Sequence, residues 1–337
     1  MDALFITSFA SFGDLIYQTP FIRFLKDVYD NVDVWCRNHE PLLNNPYIRD
    51  LYKLDSFDCP SGQDFYFKNV FKCTKDQVQI FYQSNIHTVD FFSLAASRIV
   101  LRDKEKHLDL FWTKRDEESV CEILAQHQLV PNVDLDKANF TVICPSVTWA
   151  SRTLPLEWYQ ELIHLIQTVA GDKVVIVGKE LAYDEYDPKK EKSNPDYDKM
   201  RIDEKKLLHP VSAFPGVVDL TNQLTLQQVA ALYHFTKIAI NSENGNMVMS
   251  CTNNNCWNLY IPTLTAPEFR TPYRLGDMLY KTVVVGNDED YYPASHYSTE
   301  GMGSLKNVAV KIPTPRKVLE HYLLANRSFK RGITKLY

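Results

Sequence analysis

Ala3-Leu4-Phe5-Ile6, then Ser11-Phe12-Gly13-Asp14-Leu15-Ile16, then Phe21, Phe24, Leu25 and Val28 form the stretch that decides the fold. Residues 3–6 are an apolar run too short for a helix and closed by Thr7 and Ser8, the signature of a buried strand. A short loop, residues 8–13, follows it. Phe21, Phe24, Leu25 and Val28 then recur at i, i+3, i+4 and i+7, one apolar face of a helix. Residues 32–35 read as a second strand. Strand, Gly-bearing turn, helix and strand in that order predict a βαβ unit, and hence a parallel sheet covered by helices.

Working outward, strand-like runs lie near residues 48–54 and 78–82, and a helical run lies near 117–124. A polar stretch, 131–139, then interrupts the pattern. The alternation restarts with a strand at 140–144 and a helix that places Pro155 in its first turn, where proline is tolerated. That helix carries Trp158, Leu162, Leu165, Ile166 and Val169 on one face. Strands at 173–177, 238–240 and 282–285 follow, and Thr225 with Gln228 forms a capping box that opens a helix through Val229, Leu232 and Tyr233. Residues 181–206 are charged and lack an apolar period, so they read as an exposed loop insertion; a last helix is expected over 315–326. The expected architecture is α/β: two doubly wound Rossmann-like domains facing across a cleft. They would span 1–135 for the acceptor and 136–314 for the nucleotide sugar, with a C-terminal helix and basic tail over 315–337.

With 45% hydrophobic and 23% charged residues, a chain of 337 can fill two such cores. A net charge of -5 excludes a uniformly basic nucleic-acid-binding surface but leaves room for a local basic patch. The seven cysteines form no CxxC pair and no zinc spacing, so they read as reduced thiols, with Cys251 and Cys256 as packing residues. No apolar run approaches a membrane span and no signal peptide is legible, so a cytoplasmic protein is expected.

Three constellations carry candidate chemistry. In Ser11-Phe12-Gly13-Asp14, glycine lets backbone approach a ligand and the carboxylate can take a proton from a hydroxyl; the plain alternative is that Asp14 caps the helix. In Pro145-Ser146-Val147-Thr148, followed by Arg152 and Leu154-Pro155, two hydroxyls and a guanidinium suit a phosphate, unless this is an ordinary turn with a solvated arginine. In Asn241-Ser242-Glu243-Asn244-Gly245-Asn246, backbone amides can hold a diphosphate and Glu243 can accept from sugar hydroxyls; the alternative is a polar turn with an N-cap.

Order and context make these three resemble one family, glycosyltransferase family nine, the lipopolysaccharide heptosyltransferase type. Phe12-Gly13-Asp14-Leu15-Ile16, Thr19-Pro20 and Ile22-Arg23 are similar to its opening signature, and residues 32–35 with Asn44-Asn45-Pro46-Tyr47-Ile48 to its second strand and the segment after it. Residues 152–158 resemble its K-x-W-P-x-E run. Val218-Asp219-Leu220, Leu226 and Ala230-Ala231-Leu232 lead into Glu243-Asn244-Gly245-Asn246-Met247, which resembles its D-S/T-G-x-M loop. The resemblance implies a GT-B fold and an inverting glycosyltransferase. Asp14 would be the general base, with Ser11, Phe12 and Gly13 forming the acceptor loop. Arg152, Ser146 and Thr148 would hold the donor diphosphate, Glu180 the ribose and Leu224 the nucleobase of a UDP- or ADP-sugar. Glu243, Asn244 and Gly245 would meet phosphates and sugar. The chain departs from the pattern at Ser8, Arg152, Glu243, Asn244 and Val248, so the resemblance implies the reaction type rather than heptose as the sugar.

No cofactor and no metal is expected, because arginine and a helix terminus can neutralise the leaving diphosphate; Asp288 and Asp290 read as a solvated turn rather than a D-x-D metal motif. From residue 303 onward, Lys306, Lys311, Arg316, Lys317, Arg327, Lys330, Arg331 and Lys335 face Glu320 alone, a net of +7 that suits a polyanionic acceptor, DNA or lipopolysaccharide core. Few glycines (11) beside 19 Tyr and 18 Phe suit an AT-rich viral genome, which tilts the expectation narrowly toward a hydroxymethylated base in bacteriophage DNA over a surface glycan. A nucleotide-sugar epimerase and an inactive nucleotide-binding homologue remain as other readings.

Overall fold

The computed structural model describes residues 1–54, 67–79, 86–133, 137–145, 154–179, 211–252, 256–263, 267–273, 282–286 and 312–330. In the first sheet, β1 (Asp2–Thr7) leads into α1 (Phe12–Val28) and β2 (Asn31–Cys36), and β3 (Asp50–Lys53) and β4 (Asn69–Cys73) follow. All four strands are parallel, in the order β3-β2-β1-β4. Ala3 to Ile6 are at most 1% exposed, as a strand covered on both faces requires. The helix starts earlier than the sequence suggests, because Ser11 caps it and takes Phe12, Gly13 and Asp14 into its first turn. Pro20 sits inside α1 and cannot donate to Ile16 O; the Thr19 hydroxyl donates there instead, at 2.8 Å.

The expected strand at 78–82 is not found. Lys75–Gln79 form a short helix, α2, closed at its start by Thr74 and Gln77, and residues 80–82 lie outside the described part. The pairing strand is β4, which precedes that helix. Next come α3 (Thr88–Ser97) and α4 (Lys114–Gln126).

The second sheet opens with β5 (Phe140–Cys144), α5 (Leu156–Leu165) and β6 (Lys173–Ile176). It continues with β7 (Val217–Asp219), α6 (Leu226–Phe235), β8 (Ile238–Ser242), α7 (Gly245–Cys251) and β9 (Trp257–Ile261). The last elements are α8 (Pro267–Arg270), β10 (Thr282–Val284) and α9 (Pro315–Lys330). The strands are parallel in the order β10-β9-β8-β5-β6-β7, the doubly wound arrangement with its reversal between β5 and β8. After α5 the chain widens into a π turn, Ile166–Ala170, which breaks the 3.6-residue phase; Val169, expected on the buried face, is 56% exposed.

Thr225 and Gln228 form the expected capping box at the start of α6. Helix α9 packs back on this sheet through Val318, Leu319, Tyr322 and Ala325. Beneath it, buried Lys237 reaches Asp172 at 2.6 Å, and Tyr322 Oη donates to the other Asp172 oxygen at 2.6 Å. One apolar cluster runs from Phe5, Ile16 and Phe92 through Leu124 and Leu129 to Leu232, Val248 and Tyr260. Among the described residues no helix is long and apolar enough to cross a membrane. The insertion at 181–206 lies outside the described residues.

Candidate active site between the two sheets

In an open parallel sheet, ligands settle outside the carboxyl ends of the strands where the winding reverses. The first sheet reverses between β1 and β4. There Ser8 N donates to Cys73 O at 3.2 Å, Phe9 N to Thr7 Oγ1 at 3.3 Å, and Asn38 Nδ2 to Ala10 O at 3.1 Å, which fixes the loop ahead of α1. Ser11 Oγ accepts from Asp14 N, so the cap is Ser11 and the Asp14 side chain is not needed for it. Asp14 is partly exposed. Burial pushes the Cys73 thiol up, and the Asp14 charge adds to that shift.

At the second reversal, Asn244 does two jobs. Its Oδ1 accepts from Met247 N at 2.9 Å, capping α7, and its Nδ2 donates to Cys144 O at 3.2 Å, tying the ends of β5 and β8 together. Asparagine, standing where the family pattern has Ser or Thr, thus caps this helix. Below the turn, Tyr233 Oη donates to Asn246 Oδ1 at 3.2 Å, and Asn241 Nδ2 lies within 3.3 Å of Ser250 Oγ and Asn258 Oδ1. Glu243 is 3% exposed at the head of this turn.

The two turns meet. A Cβ on Gly13 would lie 3.3 Å from Gly245 Cα, and a Cβ on Gly245 would overlap the Phe12 ring. The Phe12-Gly13 turn of the first sheet therefore packs directly against the Gly245 turn of the second. Leu224 sits half-buried in the loop before α6, on the same edge of the second sheet. Ser146, Thr148, Arg152, Glu180, Asp288 and Asp290 lie outside the described residues, as does the basic tail beyond Lys330.

Two further contacts were not legible in the sequence. Gln227 Nε2 donates to Glu40 O across the halves. Arg270, buried at 5% exposure, brings its Nε to 3.9 Å from Glu243 Oε1. Gln227 stands inside the capping box of α6 and Arg270 at the end of α8, but no local pattern links either to its partner, which it meets only through tertiary packing.

Two parallel doubly wound sheets meeting at their reversal points define the GT-B class. No family model matches the chain. No curated protein matches it either. Solved structures do. A glycosyl transferase family 9 protein from Veillonella parvula superposes with a TM-score of 0.67 at 12% identity, over 97% of both chains. The ADP-heptose lipopolysaccharide heptosyltransferase II of E. coli gives 0.53 at 14% identity, over 97% of this chain and 99% of that one. TibC, an iron-containing dodecameric glycosyltransferase from enterotoxigenic E. coli, gives 0.56 at 12% identity, over 98% of this chain and 76% of that one. The chain has the fold of family 9 glycosyltransferases, as the sequence resemblance implied.

The expectation that no metal is involved does not stand, because TibC shares this fold and contains iron. Among the described residues of this chain, no group of three or more His, Cys, Asp and Glu gathers to hold a metal ion, so they offer no fit to such a centre.

Proposed function

We propose that the chain is a glycosyltransferase that binds a nucleotide sugar at the reversal of the second sheet and passes the sugar to a hydroxyl beside Asp14. The observation that carries this reading is the meeting of the Phe12-Gly13 and Gly245 turns, which brings the proposed acceptor loop against the proposed donor turn. Asp14 takes the hydroxyl proton as the acceptor oxygen attacks the anomeric carbon. The bond from that carbon to the diphosphate breaks on the opposite face, so one displacement inverts the centre and releases a nucleoside diphosphate. Arg152, Ser146 and Thr148 neutralise the leaving group. Glu180 holds the ribose and Leu224 the base. Glu243 accepts from sugar hydroxyls, while Asn244 and Gly245 shape the turn around the phosphates.

ADP-sugars are the first donors to test, since the E. coli neighbour uses ADP-heptose, and UDP-sugars the second. For the acceptor, that neighbour's lipopolysaccharide substrate favours a surface glycan. The +7 tail supports hydroxymethylated phage DNA as the second reading, with exposed Arg316 and Arg327 on α9 among its described residues. Reduced thiols and a nucleotide-sugar donor fit a cytoplasmic site of action.

A panel of ADP- and UDP-sugars in thermal shift identifies the donor, because a ligand that binds only the folded state raises the melting temperature. Labelled donor offered to lipopolysaccharide core and to hydroxymethylated duplex then separates the acceptors. A melting temperature unmoved by every nucleotide sugar, with no nucleoside diphosphate released, overturns the proposal.

A further inference from the structure

The segment after β9 is anchored on the opposite half of the molecule. Tyr17 Oη donates to Arg270 O, Thr88 Oγ1 donates to Phe269 O at 2.7 Å, and Leu108 N donates to Tyr273 O at 3.3 Å. His87 uses both ring nitrogens: Nδ1 accepts from Val89 N at 3.2 Å, capping α3, and Nε2 donates to Thr271 O at 3.0 Å. The Tyr273 ring meets His87 edge-on at 4.6 Å and lies under Lys106 Nζ at 5.3 Å. Lys106 is in turn held by Asp90 at 2.7 Å.

This main chain connects β9 to β10 of the second sheet in sequence but is bound to the first half by its contacts. The Arg270 side chain turns back to Glu243, at 3.9 Å from Nε to Oε1, with side-chain exposures of 7% and 3%. Two charges removed from water attract more strongly than at the surface, and a buried carboxylate is costly to keep without a counter-charge. At 3.9 Å the pair lies outside hydrogen-bond range, so the guanidinium acts on the carboxylate through charge and packing.

We propose that Arg270 is a positioning residue of the cleft: its guanidinium orients the Glu243 carboxylate, and its main-chain anchors to the first half make that orientation depend on the two halves being docked. The proposal rests on the donor-site reading of Glu243. It joins two events that are otherwise separate, closure of the cleft and placement of the carboxylate that meets the sugar. Glu243 adjoins Asn244, which caps α7, and that turn touches Phe12. A shift of the 267–273 segment relative to α1 and α3 therefore moves the counter-charge of the donor turn.

The test uses the full chain with Arg270→Met, Arg270→Lys, Glu243→Gln and the Glu243→Gln/Arg270→Met double variant. Affinity is read by calorimetry with ADP and UDP, turnover as nucleoside diphosphate released from ADP-heptose or UDP-glucose, and folding from the urea midpoint. Arg270→Met should lower kcat about 10-fold or more while nucleotide affinity changes less than about 3-fold, and Arg270→Lys should recover part of the loss. The double variant should be no slower than Glu243→Gln alone, because Arg270 acts through Glu243. Losses that multiply in the double variant, or wild-type kcat in Arg270→Met, overturn the proposal. If Arg270→Met does not fold, Arg270→Lys decides: reduced kcat at an unchanged urea midpoint supports the role, and wild-type kcat removes it. A wild-type chain that binds neither nucleotide refutes the glycosyltransferase reading alone. The urea midpoints then judge the pairing, which survives if the double variant loses less than the sum of the single losses and falls if the losses add.

Discussion

Replacing Asp14 with asparagine separates chemistry from folding, because the structure assigns the cap of α1 to Ser11 Oγ rather than to the Asp14 carboxylate. What the Asp14→Asn variant loses in stability is the favourable placement of a negative charge in the first turn, about 0.3–1 kcal/mol for an exposed site. For a chain of this size that is a fall in Tm of about 1–4 °C. The loss in chemistry is much larger. Removing a general base costs about 10²–10⁴ in rate, equivalent to roughly 2.7–5.5 kcal/mol of barrier. Ser11, Phe12 and Gly13 keep their contacts, so nucleotide affinity should stay within about 2-fold of wild type, since the carboxylate acts on the acceptor hydroxyl. Three measurements on one variant suffice: melting temperature, nucleotide dissociation constant by calorimetry, and turnover with the donor found by thermal shift. Turnover within about 3-fold of wild type, beside a small Tm loss, would refute the assignment and leave Asp14 a first-turn acid and nothing more.

Gly245→Ala sets a methyl into the Phe12 ring. The ring is partly exposed and can swing aside, so the expected destabilisation is about 1 kcal/mol, at the low end of overpacking costs, but turnover should drop because the cleft wall has moved; urea unfolding and donor kinetics check both. Lys237→Ala leaves Asp172 buried beside Tyr322 without its cation, and a loss of about 3–5 kcal/mol in unfolding free energy is expected by urea titration. Burial holds Asp109 at about 6, above the ordinary 3.8, against the opposing pull of Arg23, with His107 3.7 Å away. Its folded value is raised, so its contribution to stability is full below about pH 4 and is lost as pH rises through about 6. Asp109→Asn should flatten that part of the stability–pH profile, measured by urea midpoints between pH 4 and 7, and an unchanged slope would contradict it.

The alternation of elements is legible because the central strands β1, β5, β8 and β9 are buried on both faces, while helices such as α4 and α5 bury one apolar stripe. Thr225 and Gln228 announce α6, and their reciprocal bonds are present. The same signal stands at Thr74 and Gln77, where it is masked: Val78 and the apolar residues after it alternate like a strand, and only five helical residues follow the cap. Val169 departs from expectation for a different reason. A π turn adds a residue to the winding, and no local pattern marks where the phase slips. In the site, Asp14, Gly13, Glu243 and Gly245 stand out because glycine and acid at the mouth of a strand have a local cause. Arg270 has none, since its position beside Glu243 is created by α8 docking on α1 and α3.

The apolar cluster that passes from β1 and α1 through Leu124 and Leu129 to Leu232 and Tyr260 also governs how the chain can be divided. Helix α4 lies before residue 135 in sequence, yet it packs against α6, beyond that point. Asn132 in the connecting stretch donates to His234 O and Thr236 O, both at 2.9 Å. A cut in the polar linker, where the sequence invites one, separates Val120 and Leu124 from the surface that keeps them dry. Each fragment would carry an oily wall and seek the other or itself. The intact chain is therefore expected to unfold in one calorimetric transition, and two resolved transitions would contradict a shared wall.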